Sequence, residues 1–260
     1  MGFMPRGTSS RRALCLALLV LASVSACARQ GVFKPEYEYE EELYLALDGS
    51  ATVNVNASVA SLVALRGFAL DPNPRARLDR NDVRALFEGP GAAVSKVSVS
   101  RRDGRRMVHV SVDVEDVRQL SRLTPFAWSA YRFDRAGEVI EFRQAIGPPA
   151  AGKPGDVGWT GQELVAFRMH LPSEIPFHNS PGGVQRGNIL EWEQLLSDRM
   201  AGAPLELEVH LEPDSILFTT LMLFASTVVA AAVAFALLLW WIARRGRHGD
   251  SVAESPSSPA

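Results

Sequence analysis

The residues of this 260-residue chain that could do chemistry are five histidines, two cysteines and a dense set of carboxylates. Their spacing argues against most of it. His109, His170, His178 and His210 occur singly, with no H-x-H, H-E-x-x-H or C-x-x-C pattern to bring ligands onto one face. Strand parity puts His109, His170 and His210 on polar faces and His178 in a loop, so no metal and no cofactor is expected. Neither G-x-S-x-G nor S-x-x-K occurs, so no activated serine is expected. The stretch Gly147-Pro148-Pro149-Ala150-Ala151-Gly152-Lys153-Pro154 has the spacing of a phosphate-binding loop. Pro154 stands where a Mg²⁺-binding Ser or Thr belongs, and Pro148 and Pro149 remove backbone donors, so nucleotide binding is rejected.

One thiol has a clear chemical context. Met1 to Arg12 is a basic leader, and Ala13 to Ala26 is an apolar run too short to span a bilayer. The junction Val24-Ser25-Ala26-Cys27 resembles the bacterial lipobox, which implies cleavage before Cys27 and diacylation of its sulfur. Cys15 leaves with the signal, so the mature chain has no disulfide. Ser10-Arg11-Arg12-Ala13-Leu14 is similar to a twin-arginine signal but lacks its usual Phe and Lys, which favours general secretion.

A second anchor closes the chain. Ser215 to Ala243 has no charge, Pro or Gly, and at 1.5 Å per residue it crosses a hydrocarbon core of about 30 Å. Arg244, Arg245 and Arg247 follow it, as Arg6, Arg11 and Arg12 precede the first apolar run, so both ends are expected on the cytoplasmic side. The intervening 28–214 carries 21 basic and 27 acidic residues, a net of −6, which argues against nucleic acid as a partner. Ser226, Ala230 and Ala234 form a small-xxx-small stripe suited to packing against the helix of another membrane protein.

Between the anchors the alternation of apolar residues predicts an α+β domain of antiparallel hairpins with two or three short helices. Hairpins are expected at 36–57 (turn Asp48-Gly49), 92–113 (turn Asp103-Gly104) and 126–146 (turn 134–137). Strands at 164–171, 188–195 and 205–211 complete one sheet, and helices are expected over 59–67, 81–88 and 115–123. Glu38, Glu40, Glu41 and Glu42 read as the solvated face of an edge strand. Arg101, Arg102, Arg105 and Arg106 flank the second turn. They read first as a solvated tip, with contact to anionic lipid as the functional alternative. The resulting layout is a signal peptide (1–26), a lipidated tether (27–35), an extracytoplasmic domain (36–214), a transmembrane helix (215–243) and a disordered cytoplasmic tail (244–260).

The late run Leu171-Pro172-Ser173-Glu174-Ile175, Asn179, and Arg186-Gly187-Asn188-Ile189-Leu190-Glu191-Trp192 completes a further pattern. With the lipobox Cys, the first hairpin and the C-terminal helix, it resembles the LppM-type extracytoplasmic lipoprotein domain. That resemblance implies an α+β lipid-binding module without catalysis; Trp192 itself reads as an aromatic anchor of the sheet core. The expected function is therefore a lipid-binding or interaction module tethered twice to the bacterial cytoplasmic membrane, with membrane lipid as partner. The alternatives are an accessory or assembly subunit of a membrane protein complex and an unrecognised hydrolase.

Overall fold

A computed structural model describes residues 36–249, with side chains through Arg245. The expectations for the signal, Cys15, Cys27, the tether and the tail from Asp250 lie outside the described residues.

The fold is α+β. Ten strands form two sheets: β1 (Tyr37–Leu45), β2 (Ala51–Ser58), β3 (Ala92–Arg102), β4 (Arg105–Val114), β5 (Ser129–Ala136), β6 (Val139–Ile146), β7 (Leu164–His170), β8 (Phe177–His178), β9 (Ile189–Leu195) and β10 (Leu205–Leu211). Six of them run in the order β3-β4-β2-β1-β7-β9, and four in the order β5-β6-β10-β8. The late strands are thus split between two sheets rather than completing one. All pairs are antiparallel except β1 with β7. A single core draws on both sheets, with Val55, Phe167 and Leu190 from the first and Phe142, Leu207 and Val209 from the second. Each such side chain contributes about 1.5–3 kcal/mol by leaving water.

The local punctuation is obeyed. Helix α1 (Val59–Arg66) starts at Ser58, whose hydroxyl accepts from Ser61 N, and stops at Gly67, which is left-handed at φ 67°. Helix α2 (Arg80–Phe87) is capped by Asp79, which accepts from Asn81 N. The 115–123 segment is instead a 3₁₀ turn, Val117–Arg122, followed by a second one at Thr124–Phe126. Phe126 is buried there and does not open a strand, so the third hairpin begins at Ser129 and turns around Gly137. His178 sits in β8, opposite Val209, and not in a loop. A short helix α3 (Leu196–Met200) follows β9.

The acidic strand is the largest departure. β1 is not at an edge; it pairs with β2 on one side and β7 on the other. A register shift between Tyr37 and Tyr39 turns Glu38 inward, where Ser58 Oγ and Arg105 donate to it. Glu41 shares the inward face with Tyr39 and Leu43 and is 3 % exposed. Glu40 and Glu42 stay on the outer face but meet Arg168 of β7. These carboxylates are bridges between strands, not a solvated stripe.

Helix α4 (Ile216–Gly249) is long and apolar enough over Ile216–Arg245 to cross a membrane, with mean hydropathy 2.5 in its most apolar 18-residue window and none of that window buried. At its basic end the Arg244 and Arg245 guanidiniums lie 5.1 and 4.0 Å from the ring centres of Trp240 and Trp241. That arrangement suits a headgroup-level belt.

Candidate functional site

The densest polar chemistry is buried between the two sheets. Glu41 of β1 accepts from Tyr39 Oη at 2.8 Å, from Gln144 Nε2 of β6 at 2.9 Å and from Tyr131 Oη of β5 at 3.2 Å. Arg66, at the end of α1, donates to Tyr39 Oη at 2.6 Å and lies 3.9 Å from Glu41. The Arg66 guanidinium also stacks on Trp128. Arg199 of α3 lies 5.6 Å from the same ring centre and donates to Gly147 O at 3.1 Å. Tyr39 and Phe167 pack against the indole, with centroids 5.8 and 6.0 Å away.

The electrostatics follow from burial. Loss of solvent raises the Tyr39 and Tyr131 hydroxyls well above the usual tyrosine range, so both keep their protons and donate. Burial lowers the Arg66 guanidinium, and burial followed by the charge of Arg66 lowers Arg199. Arg66, Trp128 and Arg199 cannot be singled out from the sequence, and Glu41 is expected on a solvated face, because the four come from separate parts of the chain. One signal was present: Glu41 sits on the parity of Tyr39, Leu43 and Leu45, and a carboxylate on an inward face requires a buried donor set.

The tip arginines of the β3–β4 turn part company. Arg101 is exposed. Arg102 donates to Tyr37 O, Arg105 pairs with Glu38 at 2.6 Å and Glu163 at 3.4 Å, and Arg106 donates to Pro74 O at 3.1 Å. They pin the 71–74 and 158–163 segments around a cleft of about 420 Å³ lined by Asp71, Asn73, Pro74, Arg105, Arg106 and Asp156. Backbone N–H groups of Thr160 and Gly161 hold Glu163 below the ordinary carboxylate value against the opposing effect of burial. Most of the tip's positive charge is therefore directed at the protein itself.

The outer face of the six-stranded sheet is polar and internally bonded. His109 lies 2.8 Å from Asn56 Oδ1 through Nδ1 and 2.8 Å from Ser100 Oγ through Nε2, which suits a neutral ring carrying its proton on Nδ1. Tyr44 stacks on His170 with ring centres 4.0 Å apart. Burial, and then Arg102, lowers His109; burial lowers His170 as well. In the unfolded chain each imidazole takes its proton near pH 6.5. In the fold it does so at lower pH, so the unfolded state binds more protons in between, and stability falls as pH drops through that window. Melting temperatures at pH 7.5 and 5.0 should show the loss at the acidic end, and His109→Gln should shrink it. An unchanged difference in the variant removes His109 as a source.

Glu141, Glu208 and His210 place one ligand atom each within 4.8 Å of one another. Arg143 donates to Glu141 and pairs with Glu208 at 2.8 Å, so a guanidinium already supplies the positive charge that a cation would bring. Trp192 is 3 % exposed, and its Nε1 donates to Asn179 Oδ1 at 3.0 Å. The same oxygen accepts from Glu208 N, so Trp192 ties β9 to the second sheet as a core anchor.

The junction with α4 is built, not slack. Four residues separate β10 from α4. Glu212 N donates to Glu174 O and Ile216 N donates to Pro172 O, both at 3.0 Å, and Ser173 bridges Ser215. Asn188 Nδ2 donates to Ser173 O at 2.6 Å from the other end of the same segment. That segment carries two exposed apolar side chains, Phe177 at 45 % and Val184 at 46 %. On α4, Ser226 Oγ donates within its own helix to Leu223 O, and Ala230 and Ala234 are exposed.

No protein-family model matches this chain, and no curated protein does. Among solved structures it is similar to the folded domain of LppM from Mycobacterium tuberculosis, determined by NMR. The two are 12 % identical over 71 % of this chain and 95 % of that one, with a TM-score of 0.39.

Proposed function

We propose that this protein is a non-catalytic, lipid-facing module of the bacterial cell envelope. It is anchored by acyl chains at Cys27 and by a membrane span at α4, with the folded domain held against the outer surface of the cytoplasmic membrane. The junction carries this reading. Ile216 N of α4 and Glu212 N after β10 donate to the carbonyls of Pro172 and Glu174, which supports a domain seated where the helix leaves the bilayer. The segment so held presents Phe177 and Val184, apolar groups that bind a membrane interface by leaving water and gain nothing in solvent.

The test uses the full chain reconstituted into liposomes with Val184→Cys, labelled with bimane. Lipids carrying a nitroxide at a shallow acyl position should quench the label, and Gly104→Cys on the β3–β4 turn serves as the comparison site. If the Val184 label is no more quenched than the same label free in solution, the domain does not lie on the membrane through this segment and the reading fails.

A further inference from the structure

Five donor nitrogens in the interior have no acceptor among the described residues. Nε and Nη1 of Arg66, Nε and Nη1 of Arg199, and Nε1 of Trp128 are buried and unpartnered among the described residues. They belong to one place, since both guanidiniums lie against the Trp128 ring. The Arg66 side chain is 2 % exposed and Arg199 is 0 % exposed. Among the described residues Arg199 donates to the Gly147 carbonyl and to no carboxylate, and Glu41 is the carboxylate paired with Arg66, so two cations meet one anion. Uncompensated charge out of water is strongly unfavourable, and buried donors are rarely left orphaned.

The chemistry of the cluster is one-sided. Every unpaired atom is a donor, so whatever completes the cluster is an acceptor. The surplus charge is positive, so the acceptor is an anion, and planar guanidinium forks match oxyanions. Five donors on three side chains exceed what the two oxygens of a carboxylate serve well and suit the three free oxygens of a phosphate. We propose that Arg66, Trp128 and Arg199 form a binding site for a phosphate group, free or at the end of a lipid.

Access lies along the segment that closes the site. Gly147 supplies a carbonyl to Arg199, and the chain after it lies on α1 through Ala150 N to Leu65 O at 3.0 Å and Gly152 N to Ala64 O at 3.2 Å. A phosphate replaces the Gly147 carbonyl as this strap lifts, beside the half-buried Trp128. The site stands on the buried donors alone and does not depend on the membrane seat.

The test follows thermal unfolding of the full chain in detergent micelles. One arm titrates sodium phosphate against sodium chloride at matched ionic strength; the other titrates dihexanoyl phosphatidate against dihexanoyl glycerol. The melting temperature should rise saturably in at least one arm. Arg199→Met should raise the half-saturating concentration tenfold or more, and Trp128→Phe, which keeps a ring but loses Nε1, about threefold. Saturation with inorganic phosphate identifies a free anion, and saturation with phosphatidate alone identifies a headgroup. If Arg199→Met does not fold, Arg199→Lys, which keeps the charge and loses the fork, carries the same readout. No saturable rise in either arm, or a rise that the Arg199 variant leaves unchanged, overturns the proposal and assigns the donors to water.

Discussion

Replacing Glu41 by Gln should destabilise the protein by about 3–5 kcal/mol, the usual result of breaking a buried ion pair from one side. The carboxylate receives Tyr39, Tyr131 and Gln144 from three strands and is the one anion paired with Arg66 among the described residues. Glutamine keeps the shape but removes the charge, and its amide N–H groups face groups that are themselves donors. The Arg66 guanidinium is then left buried beside an indole with no counter-charge. For a domain of this size the melting temperature should fall by about 6–20 °C. The double variant Glu41→Gln, Arg66→Met removes both charges and should recover more than half of the loss, because the penalty lies in the unpaired partner. A loss under about 1 kcal/mol in the single variant would mean that water reaches Arg66.

Gly152→Ala should cost about 2–3 kcal/mol and free the strap that runs from Gly147. A Cβ at this position would lie 1.9 Å from Val63 O and 2.8 Å from Val63 C. Both are backbone atoms of α1, so no side chain can rotate away and the strap itself must leave. The bonds from Ala150 N to Leu65 O and Gly152 N to Ala64 O go with it. Limited proteolysis should show new cleavage between 147 and 163 in the variant. Gly182→Ala is the matched control: its Cβ would meet nothing within 4 Å, and stability should change by less than about 0.5 kcal/mol. Equal protease resistance of wild type and Gly152→Ala would show that the strap does not depend on its contact with α1.

The phosphate-like spacing of Gly147 to Lys153 therefore has a structural explanation. The glycine is small because a helix carbonyl occupies the space its side chain would need. Spacing alone could not separate these cases, since both demand a glycine at a close backbone approach.

Much of the fold was legible locally. Ser58 and Gly67 bound α1 because a hydroxyl can accept from the first turn and only glycine takes the left-handed cap freely. Asp48-Gly49 and Asp103-Gly104 set two hairpins, and the uncharged run from Ser215 set the one helix among the described residues long and apolar enough to span a membrane. These features depend on residues a few positions apart. What neighbours what across longer distances was not legible. The acidic strand looked like an edge because four glutamates in five residues need counter-charges, and the nearest cation in sequence, Lys34, precedes the strand. Arg66, Arg105 and Arg168 provide them from an α1 end, a hairpin tip and a parallel neighbour strand. The chain alone thus determined where it turns, where its helices stop and which segment can cross a membrane. Only the tertiary structure decided that β1 lies at the centre and that Arg66 and Arg199 converge on Trp128. Those pairings are settled by burial and charge compensation between elements, which leave no mark on local spacing.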